Sequence, residues 1–300
     1  MHLPINLEIQ DSFYKEEEIC GHQVSEKEKK IWAIELDLLS EFKRVCEKYN
    51  LQWFIAYGSL IGAIRHKGFI PWDNDVDVWM PRADFDKLNE IASAEFSDRY
   101  FWQTPITEQG RYFQDFAKLR NSDTTCYCED LMLQGINYGI YIDIFVLDAI
   151  PDSDFTTNIL LRKANFYSHF TRFLSPYPRK DQGIKWLKHL FWKFIRKIFL
   201  HNCKGDYIFT KINEIYRSAA NKPYKKVAYM GECSKKFDKH LFEKVVWKPF
   251  EMIEVPVPKG YDEILRQEYG NYMQFPPIGE RETHAYFDFA PEVPYSEYKH

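Results

Sequence analysis

The sequence predicts a mixed α/β (α+β) chain, with a small twisted sheet, flanking helices, a helical insertion and a tail that folds back. Three observations carry this. Ile140 to Leu147 alternates Ile140, Ile142, Ile144 and Val146 with Tyr141, Asp143 and Phe145, which is the two-residue period of a strand. Ser25 and Glu28 form a capping box ahead of Ile31, Ile34, Leu38, Phe42 and Val45, and that spacing predicts a helix over 25–49. Beyond residue 150 the pattern turns helical over 154–175, 183–201 and 206–220, and from Lys222 it breaks into a proline-rich tail.

The remaining elements follow in order. Asn50 suits the end of the leading helix. Leu51 to Tyr57 reads as a short apolar strand closed by Gly58. The glycine-containing segment 58–68 leads to a turn at Pro71, and Val76 to Met80 reads as a second strand. Pro81 suits the first turn of a helix running to about Ala94. Tyr100 to Gln103 and Tyr112 to Leu119 are further strands, and one helix at about 260–269 interrupts the tail. The chain thus divides into an N-terminal helical lead (1–50), a core (51–150), a helical insertion (151–222) and a C-terminal segment folding back on the core (223–300).

Composition narrows the function classes. The 300 residues are 45% hydrophobic and 28% charged, the profile of a soluble globular protein. Aromatic side chains, at 17%, suffice for a large core with rings left over to line a pocket. The net charge of −4 argues against a nucleic-acid partner, which would call for a basic excess. No positively charged start leads into an apolar stretch, and no run reaches the length of a membrane span, so a cytoplasmic chain is expected. Cys20, Cys46, Cys126, Cys128, Cys203 and Cys233 are then expected as thiols, and the lone Cys126-x-Cys128 pair is weak evidence for zinc.

The chemistry gathers at Asp73-Asn74-Asp75-Val76-Asp77-Val78. Residues two apart on a strand share a face, so Asp75 and Asp77 project side by side from an otherwise apolar segment. Two such carboxylates repel each other, and burying them is costly unless a cation lies between them. Asp143, the charged residue in the Ile140–Leu147 run, is the candidate third ligand for Mg²⁺ or Mn²⁺. The bland alternative is an aspartate-rich surface turn. Gly58 and Ser59 can bring backbone N–H groups and a hydroxyl to a phosphate. Arg65, His66, Lys67, Lys118 and Arg120 supply positive charge nearby, and Tyr57, Trp72, Trp79 and Tyr141 are near enough to be pocket walls or core.

The stretch from Tyr57-Gly58-Ser59 through Trp72-Asp73-Asn74-Asp75-Val76-Asp77-Val78 to Arg82 resembles the signature of the LicD family, which includes bacterial phosphocholine transferases and fukutin-related ribitol-phosphate transferases. More broadly, Gly58-Ser59 followed by Asp75-Val76-Asp77 is similar to the polymerase-β-type nucleotidyltransferase pattern, in which Asp143 falls at the third acidic strand. Lys118-Leu119-Arg120 and the tail blocks Val255–Asp262 and Tyr269–Pro277 match family stretches too; Asn74 departs from a frequent aspartate. The resemblance covers roughly 50–150 and 249–286. It implies transfer of phosphocholine or a polyol phosphate from a CDP-alcohol donor to a hydroxyl of a cell-surface glycan, lipid-linked or free, with release of CMP. Asp75, Asp77 and Asp143 would be catalytic and metal-binding. Gly58, Ser59, Arg65, Lys67, Lys118 and Arg120 would bind phosphate or nucleotide, with Asp73, Asp148 and His284 behind them. Two other readings stay open: a sugar-nucleotide glycosyltransferase using Asp75-x-Asp77, and a non-catalytic binding module.

Residues 179–204 carry eight basic residues against Asp181, a net +7 that leaves −11 on the rest of the chain. Ile184, Leu187, Phe191, Phe194, Ile195 and Ile198 share one helical face and Lys185, His189, Lys193 and Arg196 the other. Such a helix either packs its apolar face on the core or makes peripheral contact with an anionic membrane surface.

Overall fold

The computed structural model describes residues 3–171, 194, 205–220, 222–229, 231, 235–281 and 287–298. The fold is mixed α/β, as expected, and a seven-stranded sheet organises it. Its strands are β3 (Phe54–Ile55), β4 (Asp77–Pro81), β5 (Tyr100–Gln103), β6 (Ala117–Asn121), β8 (Ile140–Ile150), β9 (Lys226–Tyr229) and β10 (Phe237–Asp238). Two short hairpins and one two-stranded pair lie outside it: β1 (Glu17–Ile19) with β2 (His22–Val24), β11 (Val245–Phe250) with β12 (Ile253–Pro258), and β7 (Thr125–Tyr127) with β13 (Asp288–Ala290).

β8 is the spine. On one edge it pairs in parallel with β4, Asp77 to Pro81 lying opposite Asp143 to Leu147. On the other edge its first half takes β6 and its second half takes β9, both antiparallel. The strand is long because it is covered on both faces: Ile140, Ile142, Ile144 and Ile150 on one are at most 1% exposed, and Leu147 on the other is 5% exposed. Burying each such side chain stabilises the fold by roughly 1.5–3 kcal/mol.

Helix α1 (Glu26–Lys48) starts at the expected capping box, with Glu28 N donating to Ser25 Oγ at 3.3 Å and Ser25 N donating to Glu28 Oε2 at 2.7 Å. It packs on β6 and β8. Helix α3 (Arg82–Glu95) follows Pro81 as expected, and α7 (Tyr261–Tyr269) interrupts the tail. Helices α5 (Asp154–Thr171) and α6 (Gly205–Ala220) pack on each other around Ala164, Ile208, Phe209, Ile212 and Tyr216, against Ile150 and Ala228. The principal core runs from Leu3 through α1 and the sheet to Val255 and Leu265 in the tail. Among the described residues, no helix is long and apolar enough to cross a membrane. The expected helix at 183–201, and with it the basic segment 179–204, lies outside the described residues.

Two expectations need correction. The strand expected over 51–57 is formed only at Phe54–Ile55, because Tyr57 turns to φ 44° and opens helix α2 (Tyr57–Ile61). The glycine-containing segment 58–68 is therefore largely helical, continuing as a π turn over Gly62–His66. The strand expected at 112–119 begins at Ala117, since Tyr112 is drawn into the interior and Gln109 and Gly110 both take positive φ. The short helix α4 (Glu129–Gln134) was not anticipated.

Candidate active site

The parallel register of β4 on β8 decides where the acids meet. Asp77 lies opposite Asp143, and Asp143 lies opposite Lys118 on β6, so one row crosses three strands. Asp143 N donates to Val76 O at 2.8 Å, fixing the end of β4 against the spine. Ser59 joins this from the other side. Its hydroxyl accepts from Asp77 N at 3.0 Å and donates to Asp75 O at 3.3 Å. The side chain expected to cradle phosphate is thus committed to shaping the acidic segment.

Gly58 is needed for contact. A Cβ there would stand 2.8 Å from Asp73 Oδ2. Asp73 Oδ1 accepts from Asn74 N at 3.1 Å, and the Trp32 indole of α1 donates to Asp73 O at 3.3 Å while stacking on Phe69 with centroids 4.7 Å apart. The hairpin β11–β12 grips the same segment: Glu251 N donates to Lys67 O at 2.8 Å and Phe69 N donates to Glu251 Oε1 at 3.1 Å. Gly68 leaves room for that carboxylate.

Asp73, Asp75 and Asp77 form the floor of a pocket of about 680 Å³. Tyr57, Gly58, Arg65 and Trp72 line it from the core, and Tyr269, Tyr272 and Phe275 from the tail. Asp73, expected behind the site, is in its wall. Arg65, expected to hold phosphate, instead holds the tail: it donates to Tyr272 O at 2.6 Å, to Gln274 O at 3.3 Å and to His66 Nε2 at 2.9 Å, and lies over the Phe275 ring. Burial, with the Arg65 charge, holds the His66 imidazole at about 4, so it is neutral and accepts that bond.

The other expected phosphate ligands are placed differently. Lys118 Nζ lies 2.5 Å from Asp143 Oδ1 and over the Tyr141 ring. Arg120 is fully buried and spent on Gln103 Oε1 and Gly139 O, which leaves it no route to a ligand. Lys67 is exposed and does not line the pocket. Asp148 lies five residues beyond Asp143 and so faces the other side of the sheet, where Arg82 of α3 takes it in a two-pronged ion pair at 2.7 Å. It is not behind the site. His284 lies outside the described residues. Of the aromatics, Tyr57 and Trp72 are walls and Trp79 is core.

Electrostatically the site carries excess negative charge. Burial, then the Asp75 charge, holds the Asp73 carboxyl well above the usual range. Burial, then Asp75 and Asp143, does the same to Asp77. Burial raises Asp143 as well, with Lys118 opposing it, and burial lowers the Lys118 ammonium against the pull of Asp143. Glu35 on α1 was missed in the sequence. It is 2% exposed, raised well above the usual range by burial and then by the Asp75, Asp73, Asp77 and Asp143 charges. Its signal was legible: an acid inside the Ile31–Leu38 apolar stripe has no solvent to face.

Uncompensated carboxylates of this kind fit a divalent cation. Among the described residues no three acidic, histidine or cysteine side chains converge into a ready-made metal cage. Asp75 and Asp77, both in the pocket lining, are the pair that could take a Mg²⁺-type ion, which binds one or two carboxylates and completes its shell with phosphate oxygens and water.

Residues 50–171 match the LicD/FKTN/FKRP nucleotidyltransferase domain. They are a LicD-family domain. The match spans α2, the acidic segment, β8 and α5. Over 258 residues the chain is 29% identical to the lipopolysaccharide cholinephosphotransferase LicD of Haemophilus influenzae, covering 83% of this chain and 92% of that protein. It is also 27% identical over 157 residues to the uncharacterized protein RP689 of Rickettsia prowazekii, covering 51% and 53% of the two chains. The resemblance to LicD proteins thus reaches beyond the catalytic fold into the insertion and the tail.

Proposed function

We propose that this chain transfers a phospho-alcohol, phosphocholine or a polyol phosphate, from a CDP-linked donor to a hydroxyl of a cell-surface glycan, with release of CMP. The observation that carries the reading is the row Asp77–Asp143–Lys118, with Asp73 and Asp75 beside it, under a pocket of about 680 Å³. The cholinephosphotransferase relative supports the class of transferred group.

In this reading Asp75 and Asp77 would hold Mg²⁺ or Mn²⁺, with Asp143 next to them across the β4–β8 pairing. When bound, the cation neutralises the donor diphosphate. The acceptor oxygen forms a bond to the phosphorus that carries the alcohol, the bond to the bridging oxygen breaks, and CMP leaves. Asp143 takes the hydroxyl proton, a task its raised affinity for protons suits. Lys118 holds that carboxylate in place. Ser59 and the α2 backbone keep Asp75 and Asp77 in register, while the aromatic wall excludes water from the donor. The acceptor, lipid-linked or free, is met on the open side of the pocket, with the basic segment 179–204 as its membrane contact.

The test is donor release. Purified protein with Mg²⁺ is incubated with CDP-choline, CDP-ribitol, CDP-glycerol or UDP-glucose and a crude glycan extract. CMP from one CDP-alcohol, abolished in Asp75→Ala, is the expected result. UDP from UDP-glucose with no CMP would replace this reading with a glycosyltransferase.

A further inference from the structure

Helix α1 turns two neighbouring side chains toward the acidic segment. Trp32 and Glu35, three residues apart, share a face of the helix. The Trp32 indole donates to Asp73 O, so this face lies against the segment that carries Asp73 and Asp75. Glu35 follows one turn later. It is 2% exposed and its Oε2 has no hydrogen-bond partner. A buried carboxylate oxygen left without a partner is costly to a fold, and here four further carboxylates act on it, Asp75 most strongly. A helix that needed only packing at this position would be served by leucine, as at Leu36, Leu38 and Leu39.

We propose that Glu35 is a positioning residue of the cation site, its free Oε2 accepting a hydrogen bond from a water on the divalent ion held by the aspartates. The inference rests on the metal-dependent reading above and adds a member to its site from outside the LicD-family domain at 50–171. It assigns α1 a role besides packing: the same face that fixes Asp73 through Trp32 also orients the ion's outer shell. Groups of this second kind tune metal affinity by roughly ten- to a hundredfold without touching the metal.

The experiment uses the full chain and Mn²⁺ as probe, titrated by electron paramagnetic resonance with and without CDP, for wild type and Glu35→Gln. The expected result is Mn²⁺ binding by wild type, strengthened by CDP, and roughly tenfold weaker binding by E35Q. Melting in EDTA is the second readout: E35Q melts at or above wild type, since a buried charge has gone, yet gains less from Mn²⁺. Equal Mn²⁺ affinity in the two proteins would overturn this inference and leave the metal reading intact. No Mn²⁺ binding by wild type, even with CDP, would overturn both. Should E35Q not fold, Glu35→Asp gives the same comparison, with reduced affinity expected from its shorter reach.

Discussion

At the residue scale, Asp77, the proposed cation ligand, opposes the fold that holds it. Its carboxylate is crowded by Asp75 and Asp143 and drawn out of water. Replacing it with asparagine removes that repulsion, so the ion-free D77N protein should melt about 2–4 °C above wild type, a gain on the order of 1 kcal/mol. Transferase activity should fall at least about a hundredfold. Calorimetry and CMP release check the two halves. The pH dependence follows from the same crowding. Asp73, Asp77, Asp143 and Glu35 bind their protons more tightly in the fold than at their ordinary values of 3.8 and 4.5. Their contribution to stability is full below about pH 4 and is lost as pH rises through the raised values. His66 has the opposite sign: it is held at about 4 against an ordinary 6.5, so its contribution is full above 6.5 and is lost as pH falls toward 4. Ion-free protein should therefore lose melting temperature as pH rises from about 4 through the raised values of these acids, a loss that the single His66 offsets only below about 6.5, and Mg²⁺ should remove most of it. A melting curve just as steep with Mg²⁺ as with EDTA would count against the ion.

At the element scale, β8 separates chemistry from support by its alternation. Asp143 faces Lys118 and Asp77, while Asp148 faces α3, where Arg82 holds it inside the protein. Breaking that buried pair by Asp148→Asn should destabilise the chain by about 3–5 kcal/mol, and the protein that remains folded should keep its activity. Urea unfolding together with activity per folded molecule distinguishes this from a role in the site. The strand itself was legible, because its β-branched alternation is strong and local, and so was α1, because a capping box and a helical stripe agree. Asp75, Asp77 and Asp143 were legible as a group on the same grounds. What could not be read was the use made of each cation. Lys118, Arg120 and Arg65 look alike along the chain, yet one pairs with Asp143, one is consumed inside the sheet, and one fastens the tail. Those assignments depend on partners twenty to two hundred residues distant. Glu35 escaped notice because its partners are brought near by the packing of α1 on the sheet.

At the scale of the whole molecule, the pocket is shared between distant parts of the sequence. The core supplies the carboxylates and the tail supplies Tyr269, Tyr272 and Phe275. Arg65 joins them through two tail carbonyls and a ring face. Arg65→Lys keeps the charge but loses the planar fork. It should raise the donor KM about tenfold with little change in kcat, because the wall loosens while the acids stay in register. A fall in kcat at constant KM would instead return Arg65 to the phosphates. The hairpin β11–β12 makes the dependence stronger, since Glu251 closes on Lys67 and Phe69 just ahead of the acidic segment.

That clasp has a consequence for how the protein is made. Asp77 must find Asp143 sixty-six positions later, and the segment before Asp77 is clamped by a residue that emerges later still, at 251. On the ribosome, a nascent chain that has exposed its first two hundred residues holds all the acids and neither the clasp nor the tail wall. The site is thus completed only once the tail segment through Pro277 has emerged. A chain cut short by a stalled ribosome would carry the acidic segment without the aromatic wall that closes the pocket over it.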